Sequence, residues 1–318
     1  MKFFDFCSGI GTARIALEKL GMTCVGHAEI DPAPHKTYQL FFGNEEKNWG
    51  DLMQIQPQEL PQFDLAVAGF PCQTFSIAGK RDGFADSRGQ IIYGLCSIFK
   101  IKKPRYLLLE NVKGLLSHQS GKTLTQIIQF LDEVGYSTTY KLLKSSDFGV
   151  PQIRERVFLL CHRKELSVSL TFPDPTTKEG QLKDYLIDQD DNYIFDHQSK
   201  SATTLTRYLK NPYNKGQYRL DQLLHKNYLV LDTRQSDLRL YEKVIPTLRT
   251  GRHGILYTRD GVLRKLSGLE SLLLQGVPIQ IAKKAHSVSQ TKLLSQAGNA
   301  MTVDVVEALG KTLLQHRC

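Results

Sequence analysis

The feature that most constrains the fold is an alternation of short apolar runs with amphipathic stretches over the first half of the chain. The apolar runs predict strands at residues 2–7, 24–29, 64–68, 106–110 and 157–161. The stretches between them predict helices at residues 11–20, after residue 32, at 91–100 and at 123–134. Strands that alternate with helices at this pace form an α/β fold with a doubly wound, mostly parallel sheet, which binds ligands at the carboxyl ends of its strands.

The alternation stops near residue 171, where prolines, a loose acidic cluster and then a basic, tyrosine-rich stretch follow. An amphipathic helix pattern returns at residues 304–314 and is expected to pack on the first sheet. We therefore predict a first domain over residues 1–170, a smaller and irregular one over 171–280, and a segment over 281–318 that returns to the first domain.

The net positive charge of the chain comes from one segment. Residues 200–265 contain 14 Lys and Arg against 5 Asp and Glu, which equals the whole net charge of +9. A solvated surface would explain a scatter of lysines, but here arginines alternate with tyrosines, a composition typical of surfaces that contact phosphates and bases. The segment predicts nucleic-acid binding.

The composition of the chain indicates the cellular compartment of the protein. No apolar run approaches the roughly 20 residues of a membrane helix, and the N-terminus does not resemble a signal peptide. The six cysteines form no CxxC pair, which argues against a zinc site and against a disulfide framework. We expect a soluble cytoplasmic protein with no metal and no membrane association.

Acidic residues stand near the ends of successive strands at the start of the chain. A glycine-rich turn, from Asp5 to Gly11, follows the first strand, where glycines let a ligand approach the backbone closely. Glu29 closes the second strand, where a carboxylate can accept both ribose hydroxyls of a nucleoside. Asp51 precedes the third strand, where an acid can accept from an adenine amino group. Each acid alone is typical of an exposed surface, but three together favour a nucleoside ligand.

A cysteine, Cys72, follows the third predicted strand in a loop rich in polar residues. A free cysteine has a pKa near 8.5, so only about 3% is thiolate at neutral pH, and a nearby helix N-terminus would make it a better nucleophile. The alternative is a small buried hydrophobic residue, the commoner role of a free cysteine. Glu110 closes the fourth strand at the same sheet edge, where both groups could act on one substrate.

Two later segments add polar groups. Gln152, Arg154 and Arg156 alternate at strand spacing and therefore share one face, where arginines suit anions or carbonyl oxygens. Residues 296–300 precede the returning helix and could complete the first pocket.

In order and spacing, these residues resemble the motifs of the DNA (cytosine-5) methyltransferases, in particular the compact bacterial type II modification enzymes. The matching segments are residues 5–11, 29, 50–51, 69–73, 110–112, 152–156, 264–278 and 296–300. The resemblance implies a class I S-adenosylmethionine-dependent methyltransferase fold. It makes the first domain the catalytic and cofactor-binding domain and the second one the target recognition domain.

The resemblance also implies roles for individual residues. The catalytic residues would be Cys72, Glu110, Arg154 and Arg156. Residues implied to bind S-adenosyl-L-methionine, and its product S-adenosyl-L-homocysteine, are Asp5, Phe6, Cys7, Gly9, Ile10, Gly11, Glu29, Ile30, Asp51, Leu52, Gly69, Pro71, Asn299 and Ala300. Residues implied to contact DNA are Gln73, Ser76, Arg81, Arg88, Arg234, Thr247, Arg249 and Arg252.

The implied reaction is sequence-specific methylation of cytosine C5 in double-stranded DNA. Cys72 would add to C6 of a flipped-out cytosine, and Glu110 would hold or protonate N3. The two arginines would bind the base carbonyl and support the loop. The resemblance further suggests a monomer that protects its host from a separately encoded restriction endonuclease.

Three alternatives remain. A tRNA cytosine-5 methyltransferase has the same motifs, but the glutamine after Cys72 and the long basic segment favour DNA. A nicotinamide-dependent oxidoreductase would use Gly9 and Gly11, but a third glycine at the proper offset is missing. A non-catalytic DNA-binding protein on the same scaffold would not need the intact Cys72, Glu110 and Arg156.

Overall fold

The computed structural model describes residues 1–70, 91–211, 218–235 and 237–316. The strands and helices of the first half are β1 (Lys2–Phe6), α1 (Thr12–Glu18), β2 (Thr23–Ala28), α2 (Pro32–Phe42), β3 (Leu65–Gly69), α3 (Ile91–Lys102), β4 (Tyr106–Val112), α4 (Lys122–Glu133), β5 (Tyr136–Lys144), β6 (Gln152–Ile153) and β7 (Glu155–Arg163). Those of the second half are α5 (Lys200–Leu209), α6 (Leu220–Leu224), β8 (Val230–Asp232), β9 (Arg239–Tyr241), β10 (Ile245–Pro246), β11 (Ile255–Arg259), β12 (Val262–Lys265), α7 (Gly268–Leu273), α8 (Ile279–Ala282), α9 (Gln290–Asn299) and α10 (Val303–Gln315).

Contacts divide the chain into two compact units. Unit 1 comprises residues 1–144, 155–175 and 300–318, and unit 2 comprises residues 145–154 and 176–299. Residues 145–154 were predicted to lie in the first domain, but they belong to unit 2, where β6 pairs with β10. Residues 281–299 group there too, and α9 packs on α7.

Unit 1 is built on a six-stranded sheet in the order β2-β1-β3-β4-β7-β5. Strands β2, β1, β3 and β4 are parallel to one another, and β7 is antiparallel to both of its neighbours. This arrangement confirms the prediction of an α/β fold with a mostly parallel sheet. The antiparallel direction of β7 and the strand β5 were not predicted.

The parallel strands β1, β3 and β4 of unit 1 form because they are apolar and covered on both faces, as expected of parallel sheets. On one face, Phe6 and Leu109 lie in a buried cluster with Phe99 of α3 and Ile127 of α4. On the other face, the Tyr106 hydroxyl donates to the carbonyl of His316, the residue that ends α10. Helix α10 also packs against α1.

Helix α2 begins and ends at residues suited to these positions. Asp31 caps its N-terminus by accepting from Ala33 N at 2.8 Å, and Pro32 occupies its first turn, where no N–H is needed. Gly43 ends the helix with φ at +93°. The helix therefore starts three residues after Glu29, the residue that directly follows β2.

Unit 2 contains a four-stranded antiparallel sheet in the order β12-β11-β8-β9. Leu231 and Leu256 of this sheet share a buried cluster with Leu205 and Tyr208 of α5. The short strands β6 and β10 form a separate parallel pair. Among the described residues, no helix is both long and apolar enough to cross a bilayer.

Candidate active site

The glycine-rich turn between β1 and α1 is shaped by positive backbone angles. Gly9 has φ of +57° and Gly11 has φ of +79°, which glycine adopts without strain. A Cβ on Gly11 would lie 2.5 Å from the Phe42 ring and 2.8 Å from the Tyr38 ring. The structure thus adds a second reason for Gly11, close packing on α2. The side chain of Ile10 is buried beside it.

Glu29, at the end of β2, fastens this turn with its carboxylate. One oxygen accepts from Gly9 N at 2.7 Å and the other accepts from Asp31 N at 2.8 Å. Burial raises the pKa of Glu29, and these two N–H groups oppose the increase. The carboxylate is therefore held in place with lone pairs left for a ligand. Ile30, the next residue, is 69% exposed.

Asp51 begins the short 3-10 helix Leu52–Gln54. Its carboxylate accepts from Met53 N at 2.9 Å and from the Gln54 side chain at 3.3 Å. The side chain of Leu52 is buried in the unit 1 core. At residue 52 only the backbone is thus free to contact a ligand.

Asp5 and Ser8 are buried polar residues beneath the glycine turn. Asp5 is fully buried, and neither its carboxylate oxygens nor the Ser8 hydroxyl has a hydrogen-bond partner among the described residues. Burial raises the pKa of Asp5 well above its usual range, Arg14 opposes this effect, and Glu29 adds to it. A buried polar group is usually hydrogen-bonded, so these two side chains suit a ligand that supplies the partner.

Phe6 and Cys7 occupy the end of β1. The Phe6 ring packs in the core against Phe4 and Phe99, so only its backbone faces the turn. Cys7 has φ of +51°, and burial raises its pKa to about 12, with further increases from the charges of Glu29 and Asp5. Its thiol is therefore neutral at physiological pH.

Glu110 and Arg156 form an ion pair at the carboxyl end of β4. Arg156 Nε lies 3.1 Å from Glu110 Oε1, with side chains 15% and 9% exposed. In the β4–β7 ladder Arg156 is opposite Val112, which lies two residues after Glu110 in β4. Because side chains alternate between the faces of a sheet, Arg156 and Glu110 share one face. The ion pair fixes the direction of the carboxylate.

Strand β3 ends beside this pair. Gly69 is the register partner of Glu110, and a Cβ at Gly69 would lie 3.7 Å from Glu110 Oε2. The side chain of Asn111 donates to Phe70 O at 2.9 Å, which fastens the chain at the point where the next segment begins. The predicted residues of that segment lie outside the described residues: Pro71, Cys72, Gln73, Ser76, Arg81 and Arg88.

Arg154, predicted to be catalytic, is almost fully buried within unit 2. Its guanidinium donates to the carbonyls of Gly298 at 3.1 Å and Leu248 at 3.4 Å. Asn299, the last residue of α9, is exposed, and Ala300 after it is buried. In this arrangement Arg154 supports the backbone of unit 2.

Of the predicted DNA contacts, Arg234 is also turned inward. It is 9% exposed, pairs with Asp232 through Nε at 2.7 Å, and donates to Thr247 O at 2.8 Å. Although burial of Asp232 acts in the opposite direction, the hydrogen bonds and charge of Arg234 hold the pKa of Asp232 below its usual range. Thr247, half-buried, donates its hydroxyl to Ile153 O.

Arg249 and Arg252 are exposed. With Arg234, His253 and apolar side chains they line a shallow cavity that opens to solvent. Within the described part of the chain, no cluster of three His, Cys, Asp or Glu residues has metal-binding geometry.

A comparison with protein families agrees with this geometry. The family model of C-5 cytosine-specific DNA methylases matches residues 1–315. The chain belongs to this family. The predicted family and enzyme class are confirmed.

Several curated relatives of this methylase are bacterial type II methyltransferases. It is 34% identical to the type II methyltransferase M.NgoBI of Neisseria gonorrhoeae, over 98% of this chain and 92% of that protein. It is 33% identical to M.HaeII of Haemophilus aegyptius, with the same two coverages. Among solved structures, the methyltransferase EhMeth of Entamoeba histolytica superposes with a TM-score of 0.72 at 17% identity, covering 99% of this chain and 98% of that one. The structural likeness supports the class I methyltransferase fold.

Sequence reasoning missed one polar residue beside the acids that are predicted to bind a nucleoside. Asn48 makes hydrogen bonds to the backbones of Glu29 and Gly50. Its place two residues before Gly50–Asp51 was the only available signal, because asparagine often bonds to its own backbone in turns.

Proposed function

We propose that the methylase transfers a methyl group from S-adenosylmethionine to C5 of a cytosine in a specific sequence of double-stranded DNA. The main supporting observation is the Glu110–Arg156 ion pair beside Gly69 and Phe70, the residues from which the segment containing Cys72 begins. A carboxylate with a fixed direction and a following cysteine are the two groups that covalent activation of a pyrimidine requires.

The residues of unit 1 fit the cofactor. Glu29 offers lone pairs for ribose hydroxyls and Asp51 offers an acceptor for an adenine amino group. Asp5, buried and without a hydrogen-bond partner among the described residues, suits the positive charge of this ligand. When bound, S-adenosylmethionine supplies the electrophilic methyl group.

The protein's own groups would act on the base. The sulfur of Cys72 would add to C6, which makes C5 nucleophilic, while Glu110 holds or protonates N3 and Arg156 orients Glu110 and the base carbonyl. After C5 is methylated, loss of the C5 proton and β-elimination would release Cys72 as a thiolate. The cytosine must leave the duplex for this chemistry, at a cost of a few kcal/mol.

The four cysteines that the structure describes are poor candidates for the nucleophile. Burial raises the pKa of each to about 12, so all remain neutral thiols: Cys7, Cys24, Cys96 and Cys161. A neutral thiol is a poor nucleophile.

Unit 2 would contact the DNA. We assign backbone phosphates to the exposed Arg249 and Arg252, and a supporting role to Arg234, which is paired with Asp232. In this proposal the methylase acts as a monomer in the cytoplasm and protects host DNA from a cognate restriction endonuclease. The proposal is supported by relatives that are named type II methyltransferases.

Bisulfite sequencing of plasmid from expressing cells, followed by an adduct experiment on the site it finds, tests the proposal. With the methyl donor present, DNA carrying 5-fluorocytosine at the modified position should form a denaturant-resistant adduct, because fluorine cannot leave as the C5 proton does. Cys72→Ser should form none, and Glu110→Gln should form it at least about a hundredfold more slowly. The Cys24→Ser variant, altered at a buried cysteine outside the proposed site, is the control. An adduct with Cys72→Ser would refute covalent catalysis by Cys72.

A further inference from the structure

Asn48 connects two backbone segments that carry the proposed nucleoside-binding acids. Its Oδ1 accepts from Glu29 N at 2.9 Å and from Gly50 N at 3.0 Å, and its Nδ2 donates to Glu29 O at 2.8 Å. Both backbone polar groups of Glu29 are therefore occupied by one side chain. The residue that follows Gly50 is Asp51.

The backbone of residues 48 and 49 is held against β2 by a further hydrogen bond. Trp49 N donates to His27 O at 3.0 Å, and residues 27 and 48 form an isolated parallel bridge. Gly50 has φ of +64°, which turns the chain toward Asp51. The segment thus extends the edge of β2 by one bridge, and Asn48 closes the connection.

The hydrogen bonds match the two polar atoms of the Asn48 amide. Two N–H groups need an acceptor, which the amide oxygen provides, and one carbonyl needs a donor, which the amide nitrogen provides. An aspartate would keep the acceptor, lose the donor and add a negative charge near Glu29. An alanine would remove all three bonds.

We propose that Asn48 is a positioning residue that sets the separation between the Glu29 and Asp51 carboxylates, so that both engage the same adenosine. This inference rests on the proposed function, in which Glu29 binds the ribose and Asp51 the adenine. Asn48 itself would not touch the ligand. Its effect on binding would therefore depend on whether the ribose hydroxyls are present.

The test measures dissociation constants by titration calorimetry for two probes, S-adenosylhomocysteine and its 2′,3′-dideoxyribose analogue. Asn48→Ala should bind S-adenosylhomocysteine about tenfold more weakly than the wild type, the effect expected when hydrogen bonds that fix a binding group are removed. The same variant should bind the dideoxy analogue with less than about a threefold decrease in affinity, because that probe makes no contact with Glu29.

Asn44→Ala is the matched control, since Asn44 is an exposed asparagine in the same connection between α2 and β3. It should bind both probes as the wild type does. Asn48→Asp keeps the acceptor oxygen and serves as the second variant if Asn48→Ala does not fold. It should show the same ribose-dependent decrease in affinity.

Equal decreases for both probes, or wild-type affinity in Asn48→Ala or Asn48→Asp, would overturn the inference while leaving the proposed function intact. Failure of the wild type to bind S-adenosylhomocysteine would instead refute the proposed function, and this inference with it.

Discussion

At the scale of single residues, Asp5 combines an acidic side chain with complete burial. It is fully buried in β1, and its carboxylate oxygens have no hydrogen-bond partner among the described residues. Burial raises its pKa well above the usual range near 3.8. In the unfolded chain this carboxyl ionises near pH 4, whereas in the folded chain it keeps its proton to higher pH. Folding is therefore opposed increasingly as the pH rises through that interval.

The Asp5→Asn variant should reveal this cost. The free energy of unfolding of the wild type, relative to the variant, should fall by up to about 1.4 kcal/mol per pH unit from pH 4 until the folded pKa is reached. Urea unfolding at a series of pH values measures the difference. A difference that does not change with pH would contradict a raised pKa for Asp5.

Among the elements, β6 and the residue after it organise unit 2 by side-chain hydrogen bonds to backbone. Gln152 is fully buried, accepts from Leu248 N at 3.1 Å and donates to Leu274 O at 2.6 Å. Arg154 donates to the carbonyl of the same Leu248. These bonds hold the segment that leads to Arg249.

Replacing Gln152 by alanine should lower the free energy of unfolding by about 1–3 kcal/mol, because buried backbone groups lose their partners. Gln222→Ala, at an exposed position of α6, should change it by less than about 0.5 kcal/mol. Chemical denaturation of the three proteins makes the comparison. Equal stability of the wild type and Gln152→Ala would show that the two bonds contribute nothing.

The sequence predicts the buried strands of unit 1 better than its exposed edge strand or the burial of arginines. Strands β1 to β4 were predictable because their apolar runs are buried on both faces, and Glu29 followed from its place at a strand end. Strand β5 was not predictable from the sequence, because this edge strand is partly exposed and its polar sequence shows no clear alternation of polar and apolar residues. Nor does sequence show whether an arginine faces solvent, and hydrogen bonds to backbone carbonyls hold both Arg154 and Arg234 in buried positions.

For the whole molecule, charge is divided between regions, with the net excess in residues 200–265 of unit 2. Some of these cations are paired within the protein, as Arg234 is with Asp232. The exposed Arg249 and Arg252 border the same cavity and are the better candidates for binding phosphates. The effective DNA-binding charge is thus smaller than the formal charge of the segment.

Neutralising both arginines in an Arg249→Gln, Arg252→Gln double variant should reduce the slope of log K against log salt by about 0.9 for each phosphate that the variant no longer binds. Lys36→Gln with Lys122→Gln, exposed positions in unit 1, serves as the control with the same charge change. Fluorescence anisotropy over a salt series gives the slopes. An unchanged slope in the arginine variant would locate the phosphate-binding groups elsewhere.

The last segment of unit 1 follows unit 2 in the sequence, and this order affects how unit 1 folds during synthesis. Helix α10, which packs on α1 and accepts the Tyr106 hydroxyl at its final turn, is synthesised after the whole of unit 2. A nascent chain on the ribosome therefore has the sheet of unit 1 long before it has the helix that covers one face of that sheet. Emergence of helix α10, rather than emergence of the sheet, should be the moment at which this unit becomes resistant to proteases.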